Sequence, residues 1–174
     1  MNKIPKYPRI LAIAPSTVGF GFAVLEGQDT LVNWGVKIVE GDKNSQCLAR
    51  AKELITHYQP DLIVLEDASS KDSKRSPRIR ALTKKIVALA SSSKVKVTLF
   101  SQKQIRNTFF TDGKGTKHAL AEIIAKRFPD ELSHRLPPKR RDWDSEKPRM
   151  GIFDAVALAL TFQASIRENK NPAE

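Results

Sequence analysis

Cysteine is almost absent from this chain: Cys47 is the only one in 174 residues. One thiol excludes an internal disulfide and any zinc site built from cysteines, and Cys47 itself reads as a small, partly buried side chain on a helix. Long apolar runs are missing too, since the hydrophobic stretches fall far short of a bilayer's thickness. The first ten residues, Met1 to Ile10, hold no apolar core of a signal peptide. A cytoplasmic protein with no membrane partner is expected. Histidine is scarce, and His57, His118 and His134 are scattered without metal-ligand spacing. No glycine-rich phosphate loop and no G-x-S-x-G elbow occurs, and Gly113 and Gly115 suffice only for a turn.

Acidic charge is also in short supply. Thirty Lys and Arg face nineteen Asp and Glu, a net charge of +11. The excess is uneven: from Lys71 to Arg106 there are eleven basic residues and one acid, Asp72. A second cluster holds Arg135, Lys139, Arg140, Arg141, Lys147 and Arg149. Such an excess attracts polyanions and supports phosphate contacts. A merely solvated basic surface is the competing reading. Few aromatics sit among these residues, so no stacking platform for single strands is evident.

The remaining composition, 40% hydrophobic and 28% charged, suits one globular domain, placed over 1–167 with a flexible tail at 168–174. Short apolar runs at 9–14, 19–25 and 30–39, joined by short connections, predict an antiparallel meander. Helical spacing follows over 44–58. A continuous apolar run from Leu62 to Leu65 ends on Glu66 and Asp67, as in a strand buried on both faces. Pro77 suits the first position of a helix carrying Ile79, Leu82, Ile86, Leu89 and Ala90 inward. A strand over 95–100, a helix capped by Ser101, a helix over 116–128 and a closing helix over 152–166 complete the order. Residues 129–149 read as a long, basic, proline-rich loop, a candidate functional segment. This order predicts a five-stranded mixed sheet, an antiparallel meander plus parallel strands, with helices on both faces. The first and fourth strands can then lie side by side, with Ala14 and Glu66 as neighbours.

Four strings carry a family resemblance: Ile10 through Thr17 followed by Gly19-Phe20-Gly21; Pro60 through Glu66; Ser101 through Arg106; and Asp154 through Thr161. In this order, across residues 9 to 163, the chain resembles the RuvC-type Holliday-junction resolvases of the RNase H-like superfamily. The resemblance implies an α/β RNase H-like fold. It also implies a magnesium- or manganese-dependent endonuclease acting on branched DNA in recombination and repair. Such an enzyme is a homodimer and uses two metals to activate water and stabilise the leaving oxygen. Glu66 and Asp154 match the family's metal-binding, catalytic carboxylates. A carboxylate emerging into solvent at a strand end, and an acid favoured in a helix's first turn, are the competing readings of these two residues.

The match has gaps. Ala14 stands where the family places its first catalytic aspartate, and alanine cannot ligate a metal. The acid expected one helical turn before Asp154 falls on Met150 or Gly151. Asp142, Asp144 or Glu146 from the adjacent loop, or Asp67, are the available substitutes. Ala14 is either natural, giving a non-cleaving binding module, or an engineered change that traps a substrate. The expected nucleic-acid contacts are Lys74, Arg75, Arg78, Arg80, Lys84, Lys103, Arg106, Lys114, Lys117, Lys139, Arg140 and Arg141. A pre-ribosomal RNA nuclease of the same superfamily is a third possibility.

Overall fold

Ile10–Pro15 (β1) and Leu62–Glu66 (β4) are buried along their whole length. Only a strand covered on both faces can use so many consecutive apolar residues, and these two form the sheet's centre. The computed structural model describes residues 3–170. Gly19–Glu26 (β2) and Thr30–Ile38 (β3) extend the sheet on one side, and Lys96–Phe100 (β5) closes the other, in the order β3-β2-β1-β4-β5. β1, β2 and β3 pair antiparallel, while β4 runs parallel to both β1 and β5. The expected meander and the expected adjacency of the first and fourth strands are both present.

Alternation along these strands divides the core in two. Leu11, Ile13, Ile63 and Leu65 face the helices Lys43–Tyr58 (α1) and Pro77–Ser92 (α2). Ile10, Ala12, Ala14, Leu62 and Val64 face the opposite layer. That layer contains Gln102–Phe109 (α3), Lys117–Arg127 (α4) and Met150–Lys170 (α6). Side chains of a strand alternate faces with period two, so Ala14 and Glu66 belong to the α6 side.

Local signals explain the helix starts. The Ser76 side chain accepts from the Ile79 amide ahead of Pro77, and Ser101 and Gln104 form a reciprocal capping box. Thr116 accepts from the Ala119 amide and so begins α4.

Three sequence expectations change. The segment 129–149 is not one loop. Pro129–Leu132 forms a short helix (α5) and Ser133–Arg135 a 3-10 turn, anchored by the fully buried Leu132. A single apolar residue in a polar stretch carries no periodicity, so this turn was invisible. The closing helix starts at Met150 and continues to Lys170, past the expected tail boundary at 168, while 171–174 lie outside the described residues. Finally, α6 is long and apolar enough to cross a membrane by length and composition, but most of it is buried inside the fold. Its apolar face-all-round character is that of a core helix.

Candidate active site

Ala14, Glu66 and Asp154 line one cleft of about 450 Å³ at the carboxyl ends of β1 and β4. The sheet brings the first two together. Ala12 pairs with Val64 in the parallel register, and Ala14 and Glu66 each follow two residues later. The third arrives on α6, which packs across β1 and β2.

The approach of α6 depends on two glycines. A Cβ on Gly21 would fall 2.0 Å from the Gly151 carbonyl oxygen, and a Cβ on Gly151 would fall 3.1 Å from the Gly21 Cα. Gly21 is also the cross-strand partner of Ala14. Position 14, and position 151 of the two places (150 or 151) where the family resemblance expects a further acid, therefore both border Gly21. One holds a methyl group and the other no side chain, and the helix closes tightly against the strand.

The two acids that remain are already paired. Glu66 is 9% exposed. Its Oε2 accepts from Arg75 Nε at 2.8 Å and from a second Arg75 nitrogen, and its Oε1 accepts from Gln102 Nε2 at 2.8 Å. Asp154 lies 3.0 Å from the Lys117 ammonium, which also meets Glu146. Burial pushes the Asp154 carboxyl above its usual range, and Lys117 draws it part of the way back. Burial alone would lower Lys117, but Asp154 and Glu146 outweigh it and hold the ammonium above its ordinary value. Arg75 is raised in the same manner, with Glu66 overcoming desolvation.

These contacts place three of the four substitutes for the missing aspartate, Asp67, Asp144 and Glu146. Asp67 turns away: its side chain accepts from the amide and hydroxyl of Ser69 and caps its own loop. Asp144 accepts from the Arg141 amide at 3.3 Å within the basic loop. Of the loop acids, Glu146 reaches the cleft's edge, and does so through Lys117. Among the described residues, no three of His, Cys, Asp and Glu are grouped so as to hold a metal ion. The side chains present therefore do not fit a two-metal centre.

The basic residues expected to touch nucleic acid separate into groups. Lys74, Arg75, Arg106 and Lys117 line the cleft. Lys139 and Arg140 line an adjoining hollow that shares Thr116 and Lys117 with it. Lys84, Lys103, Lys114 and Arg141 are exposed. Arg78 and Arg80 have structural partners instead: Arg78 donates to the Ser16 carbonyl at 2.8 Å, and Arg80 donates to the carbonyls of Ser73 and Arg75. They hold the loop before α2 against β1's turn.

Sequence reading missed two participants. Gln102 sits in a recognised string, but its bond to Glu66 spans 36 positions and has no local signal. Trp143 was lost among charges. It is 77% exposed, with the Arg141 guanidinium 5.7 Å from its ring. An aromatic two residues after an arginine pair, Arg140-Arg141, is the signal that would have revealed it.

No protein-family model matches the chain. A crossover junction endodeoxyribonuclease RuvC from Prochlorococcus marinus (strain MIT 9312) is 24% identical over 161 residues, which cover 88% of this chain and 94% of that protein. Thermus thermophilus RuvC superposes with a TM-score of 0.67 at 17% identity, covering 92% of this chain and 96% of that one. The same protein in complex with Holliday junction substrate gives 0.66 at 17% identity, over 92% and 95% of the two chains. The yeast mitochondrial Holliday junction resolvase gives 0.64 at 15% identity, over 98% and 85%. The fold is the RuvC-type, RNase H-like fold, and the resemblance seen in the four sequence strings is borne out.

Proposed function

We propose that this chain, with its RuvC-type fold, acts on branched DNA as a junction-resolvase-like endonuclease that binds its substrate but cleaves it poorly or not at all as written. The observation that carries this reading is one cleft in which Glu66 and Asp154 keep their places while Ala14 lacks a carboxylate. The structural neighbour solved with Holliday junction substrate supports DNA as the ligand. So do the basic side chains that line the cleft and the adjoining hollow.

Each residue has a definable task in this reading. Lys74 and Arg106 attract the phosphate backbone into the cleft. Gln102 and Arg75 fix the Glu66 carboxylate in one orientation. Lys139, Arg140 and Arg141 extend the contact along the loop before α6. Hydrolysis would call on magnesium or manganese to activate water, and a chain with an aspartate at position 14 would hold the ions with that residue, Glu66 and Asp154. A homodimer is part of the proposal, because symmetrical cutting of a junction requires two sites and a closed two-fold pair is the commonest assembly.

A dedicated binding module of the same fold is the second reading. It is favoured by the pairing of both remaining carboxylates with Arg75 and Lys117. The test is a four-way-junction assay with magnesium or manganese, scoring binding and cutting together. Binding with little cutting is expected, at two copies per junction by sedimentation. Failure to bind any branched or duplex DNA at low salt would overturn the proposal.

A further inference from the structure

A two-metal hydrolase places two divalent cations between a carboxylate cluster and the scissile phosphate. In this cleft the corresponding positive charge is already supplied by side chains. Arg75 pairs with Glu66, and Lys117 bridges Asp154 and Glu146. In the lining Lys74, Arg75, Arg106 and Lys117 stand against Glu66, Asp72 and Asp154, and Glu146 joins them through Lys117. Four side-chain cations therefore balance four carboxylates before any ion arrives. A divalent cation entering such a site meets no free cluster of ligands, whereas a phosphodiester oxygen meets N–H donors already in place.

Donor inventory points the same way. A guanidinium has five N–H groups and an ammonium three. Arg75 spends two on Glu66, leaving three. Lys117 spends one on Asp154 and one on Glu146, leaving one. Both side chains are held by buried or half-buried acids, so little rotamer freedom remains to be lost on binding. Charge-assisted N–H donors fixed in place are the usual means of gripping a phosphate oxygen without metal.

We propose that Arg75 and Lys117 take the place of the metal ions in this cleft, so that the chain grips a backbone phosphate of branched DNA directly and without any divalent cation. This rests on the junction-binding reading above and specifies how the cleft does it. The two acids serve as positioning residues for the two cations rather than as metal ligands.

The test compares junction affinity of the unsubstituted protein in excess EDTA and in millimolar magnesium, at fixed ionic strength, and titrates Mn2+ alone by its paramagnetic resonance signal. Equal affinity in the two buffers and no site-bound Mn2+ are expected. Lys117→Gln should weaken junction binding in EDTA about tenfold, and should gain Mn2+ binding because Asp154 and Glu146 are released. Lys117→Arg, keeping the charge, should retain EDTA-insensitive binding. A purely structural lysine would not make its loss create an ion site. Junction binding that collapses in EDTA, or Mn2+ bound by the unsubstituted chain, overturns the proposal while leaving the junction-binding reading intact. Absence of junction binding in both buffers overturns both. The EDTA comparison needs no variant, so a Lys117 variant that fails to fold does not remove the test.

Discussion

Ala14 and Glu66 occupy matching places on neighbouring parallel strands, each two residues beyond the Ala12–Val64 pair. A carboxylate at position 14 would start beside Glu66 and within the same cleft as Asp154. It would supply a ligand that neither Arg75 nor Lys117 holds. Ala14→Asp is therefore expected to gain junction cleavage dependent on magnesium or manganese, at least about a hundredfold above the Ala14 chain, since a few kcal/mol of transition-state stabilisation is at stake. Single-turnover cleavage at equal occupancy measures it. Robust cutting by the Ala14 chain would show that other carboxylates complete the site. Equal inactivity of both would favour a dedicated binding module, with the acid missing at 150 or 151 as the second deficit.

Binding should depend steeply on salt. Lys74 and Arg106 line the cleft and Lys139 and Arg140 the adjoining hollow, and each phosphate they neutralise would contribute about 0.9 to the log–log slope on duplex DNA. A slope of several units is expected from fluorescence anisotropy across a salt series. Replacing Lys139, Arg140 and Arg141 together by Gln should lower it by about two to three units and weaken all DNA sequences alike. An unchanged slope would remove the loop from the interface.

Trp143 is expected to report binding directly. It is 77% exposed, whereas the other tryptophan, Trp34, packs against the core. In a Trp34→Phe background, the emission of Trp143 should be quenched on adding junction DNA, and Trp143→Ala should cost about 1–3 kcal/mol of binding if a base stacks on the ring. Unaltered emission at saturation would place Trp143 outside the contact.

Gly21→Ala should destabilise the fold by about 3 kcal/mol, because its Cβ would sit 2.0 Å from the Gly151 carbonyl and α6 must shift to admit it. Urea unfolding should show a lower midpoint at an unchanged slope. A change below about 0.5 kcal/mol would mean that α6 does not pack as closely as described.

Removal of Lys117 should show a pH signature. Burial raises the Asp154 carboxyl and Lys117 offsets part of that. In Lys117→Ala the carboxyl rises further. A group protonated more readily in the folded than in the unfolded state makes stability fall as pH rises between the two values. The variant should therefore be close to the parent in thermal stability near the ordinary carboxylate range. It should lose about 1–2 kcal/mol towards neutral pH, a partial version of breaking a buried pair because Lys117 is 42% exposed. A deficit that is constant with pH would contradict this.

The architecture was legible from local chemistry. Uninterrupted apolar runs at β1 and β4 can only be strands covered on both faces, and short links between the first three runs leave antiparallel pairing as the economical solution. The cap at Ser101 and the proline opening α2 are one-turn signals and were read as such, whereas the caps at Ser76 and Thr116 emerged with the structure. The ends of β1 and β4 followed from strand order, so the placement of Ala14 beside Glu66 was determined by the sequence itself. What tertiary structure decided was the partnership of charges. Glu66 with Gln102, Asp154 with Lys117, and Gly21 with Gly151 join positions between 36 and 130 residues apart. Periodicity and capping act over a turn or a strand, whereas these contacts exist only once the sheet and α6 are stacked. The sequence thus determined where the carboxylates lie, and only the folded chain decided that side-chain cations occupy them.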